Sequence, residues 1–303
     1  MSTPPRHDLL EAALARRGEL DIGATDAMRL VDGEGDDLPG IYLDDFAGHW
    51  LLSTPEPAVA ADLRDWLASR ALPVYWKILD PRGKRSPAHL AGPVVTGPVE
   101  VREHGVRYRV RFDSGYSQGL FLDQRDNRRR VRERCGPGDT VLNTFAYTGS
   151  FSVVAALAGA TTTTLDLSQP ALDWGRDHFR LNQVDPDTQH FVKGDTFHWL
   201  QRFARQGRTF SGIVLDPPTF SRHSGGKVFR AESDYGRLVE LATGCLADPG
   251  WILCTTNCRG ISRSAFQKVV RGGFRDRPVR LRSHPMPPDF PGDPYLKTVL
   301  AST

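Results

Sequence analysis

No run of about 18 apolar residues occurs anywhere in the 303-residue chain, which excludes a membrane-spanning helix of ordinary length. Cysteine is scarce. Cys135, Cys245, Cys254 and Cys258 form no C-x-x-C pair, so neither a disulfide framework nor a zinc site is expected, and reduced thiols in a cytoplasmic protein are. The opening MSTPPRHDLLEAALARRG lacks the apolar stretch of a signal peptide and carries acids; around 7–17 it reads as a short amphipathic helix. Charge of one sign is also modest, at +3 net with a pI near 8.7. That permits a nucleic-acid partner without requiring one. There is no G-x-G-x-x-G, which argues against a nicotinamide dehydrogenase, and no internal repeat.

What is present has the ordinary balance of a globular protein, 39% hydrophobic and 25% charged, at a length suited to two domains. Residues 1–113 predict a small α+β domain that binds RNA. IYLDDFAGHWLLST alternates as paired strands, PEPAVAADLRDWLASRA reads as a helix with Pro57 in its first turn, and VYWKIL is a strand. PRGKRSPAHLAGP reads as a basic loop, and VEVREHGVRYRVRF as a hairpin turning at His104-Gly105. From 114 to 303 strands and helices alternate, which predicts an α/β domain with a mostly parallel, doubly wound sheet. Two late strands near 278–284 and 295–302 predict an antiparallel edge.

In such sheets ligands bind outside the carboxyl ends of the strands, so the residues following each strand carry the chemistry. The first strand leads into Asn143-Thr-Phe145-Ala-Tyr147-Thr148-Gly149, with one late glycine where backbone enters a helix. The second ends in Asp166-Leu167, about 20 residues on, the spacing at which an acid reaches ribose hydroxyls. The third is followed by Asp195-Thr196, where an acid can accept from an adenine amino group. The fourth ends in Asp216-Pro217-Pro218-Thr-Phe220; the prolines remove donors and block a helix, and the aromatic can stack on an extruded base. Each acid alone reads equally as a helix cap or loop residue. Four consecutive strand ends with this chemistry point to a cofactor site.

FLDQRDNRRRV, VLNTFAYTGSFSVVAALAGA, LDLSQPALDWGRDHFRLN and IVLDPPTFS together resemble the bacterial large-subunit rRNA methyltransferases. In these a small central domain joins a class I, Rossmann-like methyltransferase domain. The likeness runs from about Arg29 to the C-terminus. GLFLDQR, YTGS, DPPTFS and N-x-R-G look closest to the guanine-N7-methylating half of the bifunctional enzyme; RLVDGEGDDLPGIYLDDFAG resembles the cytosine-C5 enzymes. The latter usually carry an N-terminal PUA-type RNA-binding module, which this chain has no room for. The resemblance implies S-adenosylmethionine (SAM) as cofactor and no metal. It implies Gln124 and Arg125 at the methionine end, Asn143 to Gly149 beneath it, Asp166 at ribose and Asp195 at adenine. The implied partner is RNA, as large-subunit rRNA or a ribosomal assembly particle. Arg125 would grip the cofactor carboxylate in a bidentate contact.

The acceptor base divides the residues. Guanine N7 has a free lone pair and needs positioning, whereas cytosine C5 needs a cysteine to attack carbon 6 first. Cys258 stands after the fifth strand, where the cytosine enzymes carry theirs. Asn257 and Arg259-Gly260 follow the guanine pattern, and Asn and Arg can read base edges. No activating His lies nearby, so the reading leans to guanine N7, with Asp216 and Asn257 positioning the base and Cys258 dispensable. Arginines on the 124–134 helix, in the loop at Arg82, Lys84 and Arg85, and from Arg271 to Arg282 could follow phosphates. A small-molecule or protein methyltransferase and a non-catalytic RNA-binding module remain open.

Overall fold

A computed structural model describes residues 4–79, 85–222 and 228–303, with the side chains of 220–222 and 228 excepted. The chain divides into two compact units, 1–125 with 287–294, and 126–286 with 295–303. The boundary expected at 113 falls after Arg125 in this division, and the short segment 287–294 returns to the first unit.

The first unit opens with α1 (Arg6–Gly18), followed by β1 (Ala27–Asp32), β2 (Tyr42–Phe46), β3 (Trp50–Thr54), α2 (Ala61–Ala68), β4 (Val74–Ile78) and β5 (Ala88–Ala91). The strands lie in the order β1-β2-β3-β4-β5, antiparallel except for the parallel pair β3–β4 that α2 connects. Trp50 and Trp66 stack at 5.8 Å in a core with Leu10, Leu43, Leu52 and Leu67. Two expectations are corrected here. Pro57 precedes α2 rather than sitting in its first turn, since the helix begins only at Ala61. Within the segment read as a basic loop, Ala88–Ala91 pairs with β4 as an edge strand, a position where flanking prolines are tolerated. Arg82 and Lys84 lie outside the described residues. β6 (Val99–Glu103) and β7 (Val106–Val110) form the expected hairpin, with His104 and Gly105 both at positive φ.

After α3 (Arg125–Arg134), the second unit alternates: β8 (Thr140–Thr144), α4 (Ser150–Leu157), β9 (Thr161–Asp166), α5 (Gln169–Leu181), β10 (His190–Lys193), α6 (Thr196–Arg205) and β11 (Phe210–Leu215). A short hairpin, β12 (Phe220–Arg222) and β13 (Val228–Arg230), precedes α7 (Ala231–Thr243), β14 (Leu246–Thr256), α8 (Arg263–Gly273), β15 (Arg280–His284) and β16 (Lys297–Ser302). The strand order is β10-β9-β8-β11-β14-β16-β15. The first five strands are parallel; β16 runs antiparallel to both β14 and β15. The order reverses between β8 and β11, which makes their carboxyl ends the switch point of a Rossmann-like sheet. Local signals start the helices. Ser168, Asp195 and Ser262 cap α5, α6 and α8 through their side chains, with Pro170 in the first turn of α5. Leu142, Leu165, Ile213, Ile252 and Cys254 from successive strands pack with Phe203, Leu238 and Phe266. Among the described residues no helix is long and apolar enough to cross a membrane.

Candidate active site

The loop leaving β8 is held in an unusual backbone path. Phe145, Tyr147 and Gly149 take φ of 50°, 49° and 71°, in the left-handed region. For two aromatic residues that conformation costs about 1–3 kcal/mol each, and it persists only where surroundings over-determine it. Here they do. Ala146 N–H donates to Leu165 O at 3.1 Å, Gly149 N–H to Ala146 O at 2.8 Å, and Tyr147 N–H to the Asp166 carboxylate at 2.8 Å. The glycine is favoured by its φ rather than by space, because a Cβ there would only reach ordinary contact, 3.6 Å from Gly175 Cα of α5. Thr148 is buried, and its carbonyl shares a 3.0 Å hydrogen bond with His178 Nδ1.

Asp166 ends β9 half-buried. One oxygen accepts from Tyr147 N–H and the other from Ser168 N–H, both at 2.8 Å, so the acid joins two neighbouring strand ends. Leu167 beside it is 38% exposed, among the few large apolar side chains left open. Asp195 caps α6 by accepting from His198 N–H at 2.9 Å, and Thr196 behind it is buried. Asn143, 1% exposed, donates to Ser152 Oγ at 3.0 Å while its Oδ1 is buried with no hydrogen-bond partner. A buried acceptor without a donor is costly and invites a ligand N–H or ammonium.

Across the switch point, Asp216 leaves β11 and accepts from Thr255 Oγ1 at 2.5 Å; Pro217 is buried. The Tyr235 hydroxyl donates beneath it, 2.8 Å from Leu215 O and 3.0 Å from Thr255 O. Burial first, then Cys254 and Asp216, push this phenol well above its ordinary pKa, which keeps it a donor. Thr219 Oγ1 donates to Asn257 Oδ1 at 2.6 Å, tying the Asp-Pro-Pro segment to the end of β14. Phe220 begins β12, and the stacking expected of its ring lies outside the described residues.

Cys258 follows β14 and is 3% exposed. Its thiol donates to Glu232 Oε1 at 3.5 Å, its N–H to Thr256 Oγ1 at 3.2 Å, and its carbonyl accepts from the buried Lys297 Nζ at 2.7 Å. Gly260 makes room for the carboxylate, since a Cβ there would lie 2.0 Å from Glu232 Oε1. Arg259 stacks over Tyr295 at 5.9 Å. Glu232, in the first turn of α7, escaped sequence reading because it lies 26 residues before the cysteine and belongs to no motif.

Gln124 and Arg125 belong to the first unit and are buried there. The two terminal nitrogens of Arg125 donate to Asp289, at 2.9 and 2.5 Å. The fork expected on a cofactor carboxylate is thus occupied by a protein one.

Residues 78–294 match the family model described as S-adenosylmethionine-dependent methyltransferase. Ribosomal RNA large subunit methyltransferase I of Salmonella arizonae is 35% identical over 295 residues, 90% of this chain and 72% of that one. YwbD of Bacillus subtilis (strain 168) is 31% identical over 312 residues, covering 96% and 78%. Among solved structures, SMU.776 complexed with S-adenosylhomocysteine superposes with a TM-score of 0.88 at 28% identity, over 98% of this chain and 80% of that one. A SAM-dependent methyltransferase from Agrobacterium tumefaciens gives 0.75 at 20% identity, covering 93% and 91%, and shares the fold.

Proposed function

Because this chain belongs to the S-adenosylmethionine-dependent methyltransferases, we propose that it methylates a base of large-subunit ribosomal RNA. The similarity to methyltransferase I, over nine-tenths of the chain, carries the substrate class. The cofactor supplies a methyl group on a positively charged sulfur. The residues at the strand ends suit it. Asn143, whose buried Oδ1 has no partner, would accept from the ammonium, Asp166 and Leu167 at the end of β9 would hold the ribose and adenine, and Asp195 with Thr196 would meet the adenine amino group. Arg125 is engaged by Asp289 within the first unit and is left out of this reading.

The acceptor we infer is carbon 5 of cytosine, and the observation behind it is the Cys258–Glu232 contact. The sequence leans to guanine N7 because Asn257 and Arg259-Gly260 follow the guanine pattern and no activating His lies near Cys258. The fold supplies Cys258 with a partner in Glu232, and a nucleophile within reach of a base is the arrangement covalent catalysis uses. Addition of the Cys258 sulfur to carbon 6, with its proton passing to Glu232, places electron density on carbon 5, which then receives the methyl group. The donor leaves as S-adenosylhomocysteine, loss of the carbon 5 proton to water lets the sulfur–carbon bond break, and Glu232 returns its proton to the freed cysteine sulfur. Asp216 and Asn257, linked through Thr255 and Thr219, position the base, and Arg259 reaches its edge or a phosphate.

Guanine N7 stays as a second reading because Cys258 also packs in the apolar cluster of the second unit, as a structural cysteine would. Cys258→Ser separates the two. On the cytosine reading it abolishes transfer to rRNA while SAM binding persists, and the wild type forms a covalent adduct with 5-fluorocytosine RNA. Full activity of the variant, with 7-methylguanine in the RNA digest, overturns that reading.

A further inference from the structure

β15 is an outer strand of the second unit's sheet and, among the described residues, pairs only with β16. Ser283 turns toward α8, where Gln267 Nε2 donates to its hydroxyl at 2.6 Å. Alternation then puts Arg280, Arg282 and His284 on the opposite face. α3 lies on that face, because Thr298, the register partner of His284, accepts from Asn127 Nδ2 at 2.9 Å. Arg130 and Arg134 follow Asn127 at helical spacing, and Arg130 also donates to Asn127 Oδ1 at 3.0 Å. His284 is surrounded by cations: burial first, then Arg130, Arg134 and Arg282, push its pKa down to about 4. Its Nε2 is buried with no hydrogen-bond partner.

Few acids answer this charge. Asp126 stands 4.0 Å from Arg130, Glu133 lies 3.8 Å from Arg129, and Asp139 and Arg134 both act on Cys135. Among the described residues neither Arg134 nor Arg282 has a carboxylate within ion-pair distance, and both are exposed. Like charges gathered with few counter-charges work against the compact state and favour an anionic partner. The cations stand on a helix and on the outer strand of the sheet. That suits the backbone of a polyanion, which is held by phosphate contacts without base reading.

We propose that the exposed Arg134 and Arg282, grouped beside His284, hold backbone phosphates of the RNA substrate. The inference rests on the rRNA reading above. It gives the second unit an RNA contact of its own, on the α3–β15 face.

The test is filter binding of unmodified large-subunit rRNA transcript across a salt series, with wild type and the double variant Arg134→Ala, Arg282→Ala. Each phosphate contact contributes a slope of about 0.7–0.9 in log affinity against log salt, so losing two shallows it by about 1.4–1.8. SAM affinity by calorimetry is unchanged and the melting temperature is not lowered, which separates the effect from misfolding. Arg205→Ala, on α6 across the sheet, leaves the slope as in wild type. An unchanged slope in the double variant, while the wild type binds and methylates rRNA, overturns this inference alone. A wild type that neither binds nor methylates rRNA overturns the substrate reading together with it.

Discussion

Arg125 and Asp289, 164 residues apart in sequence, meet in a two-pronged ion pair whose side chains are 1% and 0% exposed. The pair sits in a larger buried network of the first unit. Arg29 N–H donates to Asp289 at 2.9 Å, Arg17 donates to the Asp289 carbonyl at 3.2 Å and to Asp36, and Gly292 N–H donates to Asp32 at 2.8 Å. The returning segment 287–294 is thereby fastened to β1 at Arg29 and Asp32 and to Arg125.

Removing one member leaves a charge buried without its partner. Asp289→Ala is expected to cost about 3–5 kcal/mol in denaturant unfolding. Arg125→Met together with Asp289→Leu should recover most of that loss. Recovery stays incomplete because Arg29 N–H then lacks its acceptor. A loss below about 1 kcal/mol for Asp289→Ala would show that the pair does not hold the segment.

Asp166 has a double task, since it fixes the strained loop through Tyr147 N–H and faces the cofactor ribose in the proposed site. Asp166→Ala should weaken SAM binding by about 1.5–3 kcal/mol in calorimetry. Asp166→Asn keeps one acceptor toward the loop and should lose less. Equal affinities for all three proteins would remove Asp166 from the site.

Asp45, at the end of β2, makes stability depend on pH. Burial first, with Asp26 adding to it, pushes its carboxyl up to about 6, although Gly48 N–H donates to it at 2.7 Å. The unfolded chain releases this proton near pH 4. Between about pH 4 and 6 the folded state therefore holds more protons, and stability falls as pH rises through that window. Asp45→Asn keeps the acceptor for Gly48 and does not titrate. It should be more stable than wild type by about 1–3 kcal/mol at pH 7, with the advantage fading toward pH 4. A constant difference across pH 4–7 would contradict the assignment.

The parallel sheet and the carboxyl ends of its strands were legible because their signals are local. A βα unit fixes the distance from the Asn143 loop to Asp166, and caps such as Ser168 and Asp195 announce their helices within four residues. Ala88–Ala91 was missed because its strand character comes from pairing with β4, and basic and proline-bearing neighbours hid it. Arg125 looked like a cofactor ligand because its motif lies in one stretch, while Asp289 is supplied by a segment that returns 164 residues later. Glu232 beside Cys258, and the cations around His284, likewise come from different elements. Sequence alone determined which residues end each strand, since hydrophobic periodicity and capping act over a few residues. Only the tertiary structure decided which buried charge answers which, because a carboxylate selects its partner by distance in space.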